Sequence, residues 1–245
     1  MNFKIVDLII FNKWLSKPFK KIEYDIDYKF KNIIYKEVKY SNIILELGGA
    51  SRPMLHKEDE RYKYVGIDID SSFDSEKYYD LYFCQSIEKS FPLKADLIFS
   101  KYLMEHVRNV EISFLNQYEA LSSNGKAIHL YPLGYHPFSI ANKLLGNENV
   151  KKLIPFIKKG SEGYTGYPAF YTLGNSYSLE KFFIKKGIKA EFYYHYGAVD
   201  YFSFFFPFAL VITLFNFLCK ILNLKFFASN VIVVFSKCND NINKL

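Results

Sequence analysis

Glu46 and Asp68 each end an apolar run, and each is placed to accept hydrogen bonds from a small ligand. Glu46 lies in "ILELGGASRP", Ile44 to Pro53, where Gly48 and Gly49 follow the run at once. Two glycines permit positive φ and keep side chains off an approaching ligand. Asp68 ends "KYVGID", 20 residues after Gly48. That is the offset at which a carboxylate accepts from ribose hydroxyls in nucleotide-binding folds. A ribose diol has two donors, and a carboxylate has the acceptors to match. The competing reading is that both acids are merely polar strand ends.

The turn itself narrows the ligand. A dinucleotide cradle needs G-x-G-x-x-G so that pyrophosphate can rest on a helix N-terminus. Here Ala50 and Pro53 stand at the second and third required glycines. A nicotinamide oxidoreductase is therefore the weaker alternative. No G-K-[ST] follows, so a P-loop is excluded.

These residues need strands to hold them. Apolar runs at Ile43–Leu47, Tyr64–Ile69, Ala95–Ser100, Lys126–Tyr131, Lys189–Tyr194 and Val231–Ser236 read as strands, with a weaker one at Asp80–Phe83. Helical runs lie between them. One spans Val110–Leu121, entered through Asn109. Another spans Leu179–Lys186, capped by Ser178 and closed by Gly187. The alternation predicts an α/β, Rossmann-like, doubly wound sheet, mostly parallel with an antiparallel last strand.

Four stretches then carry a resemblance. "ILELGGASRP", "YVGIDID", "CQSIEKSFPLKADLIFSKYLMEHV" and "ALSSNGKAIHLYPLGYHP" resemble, in order and spacing, the motifs of class I S-adenosylmethionine-dependent methyltransferases, in particular the type 11-like group. The resemblance covers about residues 40–140. It implies S-adenosylmethionine as cofactor. Glu46, Gly48 and Gly49 would hold its methionine part, with Ala50 at a usual glycine position. Asp68 would hold the ribose, and Ile69 would pack on adenine. Gln85, Ser86 and Ile87 would stand by the adenine amino group. Ser100, with Lys101 and Tyr102, would lie beside the methyl group.

Transfer to a hydroxyl needs a base, and histidine titrates in the useful range. His136, in "PLGYHP" just past the fifth strand, is one candidate catalytic residue; its alternative is a histidine shaping that turn. His106, in the Glu105–His106 pair, is the other; its alternative is local packing. Tyr164, Tyr167, Phe170, Tyr171 and Tyr177 form either an aromatic lid over an acceptor or an ordinary packed loop.

Partners follow from charge. The net charge is +7, distributed as +4 over residues 1–40, −4 over 41–150 and +6 over 151–190. Arginine occurs only three times, which removes the usual bidentate readers of phosphate and guanine, so no nucleic acid is expected. Lysine-rich flanks suit an anionic membrane surface, an anionic substrate or an ordinary solvated face. The three cysteines are too scattered for a disulfide framework, and no metal-ligand spacing occurs.

Residues 1–40 are expected as an amphipathic helical appendage, its first helix ending before Pro18, and residues 41–245 as the methyltransferase domain. Within that domain 199–229 form an apolar insertion. Residues 201–219 carry no charge. A span is excluded because the strand after the segment must pair beside the strand before it. The segment is then an in-plane membrane element, a wall for a lipid-linked acceptor, a dimer contact or a helix packed on its own domain. The function expected is O-methylation of a small-molecule, glycan or lipid acceptor, or a lipid-linked sugar. The protein would be cytoplasmic, peripheral on the inner membrane face, and able to form a homodimer. The alternative is a catalytically silent methyltransferase-like scaffold.

Overall fold

The computed structural model describes residues 5–22, 25–57, 60–146, 148–150, 152 and 167–237. Seven strands form one sheet: β1 Ile43–Leu47, β2 Lys63–Asp68, β3 Leu81–Cys84, β4 Ala95–Lys101, β5 Leu121–Pro132, β6 Ala190–His195 and β7 Asn230–Ser236. Their order is β3-β2-β1-β4-β5-β7-β6, and only β7 runs against its neighbours. The α/β class and the antiparallel last strand are as the sequence predicts.

Alternation along the strands sorts the core into two faces. Leu45, Leu47, Val65, Ile67 and Ile98 face α4 (Val110–Ala120) and α6 (Ser176–Lys185), meeting Phe114, Leu179 and Phe183. Ile44, Tyr64, Leu97, Phe99 and Leu130 face α3 (Ile26–Val38), meeting Phe30 and Ile34. Cover for the sheet thus begins at Ile26, inside the stretch expected as an appendage.

Several boundaries differ from expectation. β5 starts at Leu121, and its pairing with β4 shifts register between Ala95 and Leu97 before becoming regular from Lys126. Asn109 caps α4 as expected, but α6 is capped by Asn175, whose Oδ1 accepts the Ser178 N–H at 2.9 Å. Ser178 instead donates its hydroxyl to the Asn175 carbonyl. α1 (Ile5–Leu15) stops short of Pro18, which lies in the first turn of a second short helix, α2 (Lys17–Ile22), where its missing N–H costs nothing. The apolar residues near helical spacing in this first stretch, Phe3, Val6, Ile10, Phe11, Trp14 and Leu15, are expected either to pack on the domain or to lie on a bilayer. Asn12 and Ser16 are buried, while Ile10, Phe11 and Trp14 are exposed. Phe3 and the Val6 side chain lie outside the described residues.

The apolar insertion contains α7, Phe206–Ile221. It leaves the sheet after His195 and returns at Asn230, and these two residues are register partners. The flanks of the segment therefore share a sheet, as the argument against a span requires. Among the described residues no helix is long and apolar enough to cross a membrane.

Candidate active site

β1 pairs with β2 on one side and β4 on the other, so chain order reverses beside it. The carboxyl ends of β1, β2 and β4 border this switch point, where open α/β sheets bind ligands. Glu46 registers with Gly66 and Leu47 with Ser100, which brings the three strand tips level.

Glu46 is buried beneath the turn. Its carboxylate accepts the Met54 N–H at 3.2–3.3 Å and the Tyr64 hydroxyl. Burial pushes its pKa up to about 7, against the pull of those hydrogen bonds. A Cβ on Gly49 would lie 2.5 Å from the Tyr79 hydroxyl and 2.6 Å from the Glu46 carboxyl carbon. One on Gly48, which has φ +76°, would lie 2.8 Å from Leu103. The glycines thus let the turn sit directly on Tyr79, Glu46 and Leu103. Ala50 follows in the left-handed region at φ +43°.

Asp68 is only half-buried, and burial is the main cause raising its pKa. Its Oδ1 accepts the Asp70 N–H at 3.1 Å, which leaves acceptor capacity on the carboxylate. Ile69 beside it is 59% exposed and free to cover a flat ring. The Gln85 N–H donates to the Asp68 carbonyl at 2.9 Å, which ties the third strand's end to the second. The Gln85 side chain turns to the Ser90 carbonyl, and Ser86 Oγ accepts the Glu88 N–H. Ile87 is buried in the core.

Two sequence-predicted residues have different surroundings from those expected. Ser100 is fully buried and bonds His129 Nδ1 at 2.8 Å, so it does not line an open site. His136 is fully buried and caps α5 (Pro137–Leu145). Its Nδ1 accepts the Phe138 N–H at 3.2 Å, so Nε2 carries the proton, 3.0 Å from Asn216 Oδ1. Both nitrogens are engaged, and burial lowers its pKa to about 4. His136 is a helix cap rather than a base. His106 is better placed. Its Nδ1 is 3.0 Å from the Pro168 carbonyl, which can only accept. The proton therefore sits on Nδ1 and the lone pair on Nε2, in a partly exposed ring that burial keeps neutral.

The 167–173 segment lies over this edge. Phe170 and Tyr171 donate backbone N–H groups to the Glu105 carbonyl at 2.7 and 3.2 Å. The Tyr167 ring meets His106 edge-on at 6.2 Å. Tyr167 also lies within electrostatic reach of the Tyr82 hydroxyl, as do Asp68 and Asp70. Tyr177 sits apart and exposed on the first turn of α6, and Tyr164 lies outside the described residues. Tyr64, Tyr79 and Leu103 were not singled out as site residues from sequence. Period-two alternation could have found Tyr64, which shares a strand face with Asp68.

A cleft of about 250 Å³ lies at the opposite edge of the sheet, lined by Asn42, Asp96, Asn124 and Lys126. Its polar groups largely serve the fold. Asp96 accepts the N–H groups of Asn42 and Ile43, and Lys126 pairs with Glu37 at 2.8 Å.

No family model and no curated protein matches the chain. A solved S-adenosylmethionine-dependent methyltransferase from Archaeoglobus fulgidus superposes at a TM-score of 0.53, with 12% identity, over 86% of this chain and 93% of that one. The chain has the class I methyltransferase fold. The N-methyltransferase NodS from Bradyrhizobium japonicum, solved with S-adenosylhomocysteine, gives 0.49 at 9% identity over 87% of each chain. The plantazolicin methyltransferase BpumL, also solved with S-adenosylhomocysteine, gives 0.49 at 15% over 96% and 98%.

Proposed function

We propose that the protein transfers a methyl group from S-adenosylmethionine to an oxygen of a glycan, lipid or lipid-linked sugar at the inner face of a membrane. The observation that carries this reading is the pair of carboxylates, Glu46 and Asp68, on the adjacent strands β1 and β2 at the switch point of this fold, Asp68 two residues beyond Gly66, the register partner of Glu46. Asp68 retains acceptor capacity for ribose hydroxyls, and Ile69 offers apolar cover for adenine. Gly48, Gly49 and Ala50 would run beside the methionine part, and Gln85 and Ser86 would approach adenine through backbone. Bound there, the cofactor supplies an electrophilic methyl on a sulfonium. What remains for the chain is to align the acceptor and keep water out. His106 Nε2, unprotonated and partly exposed, would take the acceptor's proton.

One observation favours a catalytically silent module instead: Leu103 and Tyr79 occupy the room beside Gly48 and Gly49. Calorimetry with S-adenosylhomocysteine separates the two. The enzyme reading requires binding, weakened by roughly 1–3 kcal/mol in Asp68→Ala because ribose hydroxyls lose their partner. His106→Asn should keep that affinity and lose methyl transfer. Absence of binding by a folded protein would select the silent module. Unchanged affinity in Asp68→Ala would mean the wrong carboxylate was chosen.

A further inference from the structure

The insertion exposes the wrong side for a helix in water. α7 buries Ala209, Ile212, Asn216 and Cys219, a strip three to four residues apart. Most of the rest of its surface is also apolar: Phe208, Val211, Leu214, Phe217, Leu218 and Ile221 are all exposed. An exposed apolar face of this extent marks an interaction site.

α1 extends the same surface. Asn12 Oδ1 accepts the Phe206 N–H at 2.9 Å and so caps α7 from α1. Phe19 of α2 meets Phe206 at 5.9 Å. With Asn12 turned inward, Leu8, Phe11 and Trp14 remain outside, Trp14 60% exposed. Across α1, α2 and α7 the sequence carries Lys13, Lys17, Lys20, Lys21 and Lys220 against a single acid, Asp7.

The position of this plate matters as much as its chemistry. β6 runs with β5, since both oppose β7. The insertion therefore leaves from the carboxyl edge of the sheet, the edge that holds Glu46 and Asp68. Asp27 at the start of α3 binds Lys101 at 3.2 Å and the Tyr102 hydroxyl at 3.0 Å at the end of β4, which fixes the start of α3 to that edge too.

We propose that α1, α2 and α7 form one in-plane docking plate for an anionic lipid bilayer, which holds the carboxyl edge of the sheet toward the headgroups. α7 is roughly 24 Å long, short of the ~30 Å hydrocarbon core, so it lies in the interface and does not cross it. Lys17, at the start of α2, and Lys220, near the end of α7, are exposed and meet anionic headgroups. Those same lysines oppose a second copy, which would bring cation against cation. This deepens the functional reading, on which it rests for the meaning of the carboxyl edge, by making the acceptor one that a bilayer presents.

Trp14 is the only tryptophan in the chain and reports on the plate directly. The full chain is mixed with phosphatidylcholine vesicles, with or without phosphatidylglycerol, and followed by flotation and Trp14 emission. The expected result is co-flotation and a blue shift with the anionic vesicles, both weakened by salt. A double variant on the exposed side of α7, Val211→Glu with Phe217→Glu, should lower partitioning about tenfold or more. Its S-adenosylhomocysteine affinity should stay at the wild-type value, which also shows that it is folded. Wild type that ignores anionic vesicles would overturn the plate, as would vesicle-inert protein that dimerises through this face. S-adenosylhomocysteine binding without vesicle binding would remove the plate alone. Vesicle binding without S-adenosylhomocysteine binding would support the plate and remove the methyltransferase reading.

Discussion

Glu105 is a carboxyl group that burial holds far from its ordinary state. Its side chain is buried, Oε2 has no partner among the described residues, and burial pushes its pKa up to about 8. A folded-state pKa above the unfolded value means the native state holds a proton that the unfolded chain releases first. Glu105 thus contributes most at low pH, and its contribution falls as pH rises from about 4.5 to about 8. Glu46, raised to about 7, adds a slope of the same sign. Glu105→Gln should remove its share, so the variant should gain stability over wild type between pH 5 and 8, by a few kcal/mol at most. Urea unfolding at several pH values reads this; a constant difference across that range would show that Glu105 is not protonated in the native state. The sequence marked the Glu105–His106 pair, but not which member was buried. That depends on the 167–173 segment, more than 60 positions away, folding over it.

At the scale of elements, the central parallel strands β1, β2 and β4 were legible because each is buried on both faces and reads as an apolar run. β3 was the weak one because it is an edge strand, with Leu81 and Cys84 exposed. α7 was legible as a helix but not in its orientation. When both sides of a helix are apolar, periodicity cannot say which is buried. A polar residue decides it: Asn216, which accepts from His136 and donates to the Gly197 carbonyl at 2.9 Å, joining the insertion to the helix that follows β5. The end of α7 is set by Asn223 at φ +52°, with Leu224 N–H returning to the Cys219 carbonyl at 2.8 Å. Asn216→Leu leaves the His136 N–H and the Gly197 carbonyl buried without partners. It should cost roughly 2–4 kcal/mol for the two groups, read as a lower urea midpoint. A change under 0.5 kcal/mol would show that apolar contacts alone hold the insertion.

At the scale of the molecule, switch point, cover segment and apolar plate all sit at one edge of the sheet, while the opposite edge holds a cleft whose polar groups serve the fold. Sequence order gave the motifs, but strand order is a property of the folded sheet, and only there do Glu46 and Asp68 become neighbours. The most direct test of that pairing is amide hydrogen exchange with and without saturating S-adenosylhomocysteine. The expected result is slowed exchange at Gly48–Arg52, Ile69–Asp70 and Gln85–Ile87, with the opposite-edge cleft around Asn124 unchanged. Protection confined to that cleft, or none at the tips of β1 and β2, would contradict the assignment of these two carboxylates to one adenosyl ligand.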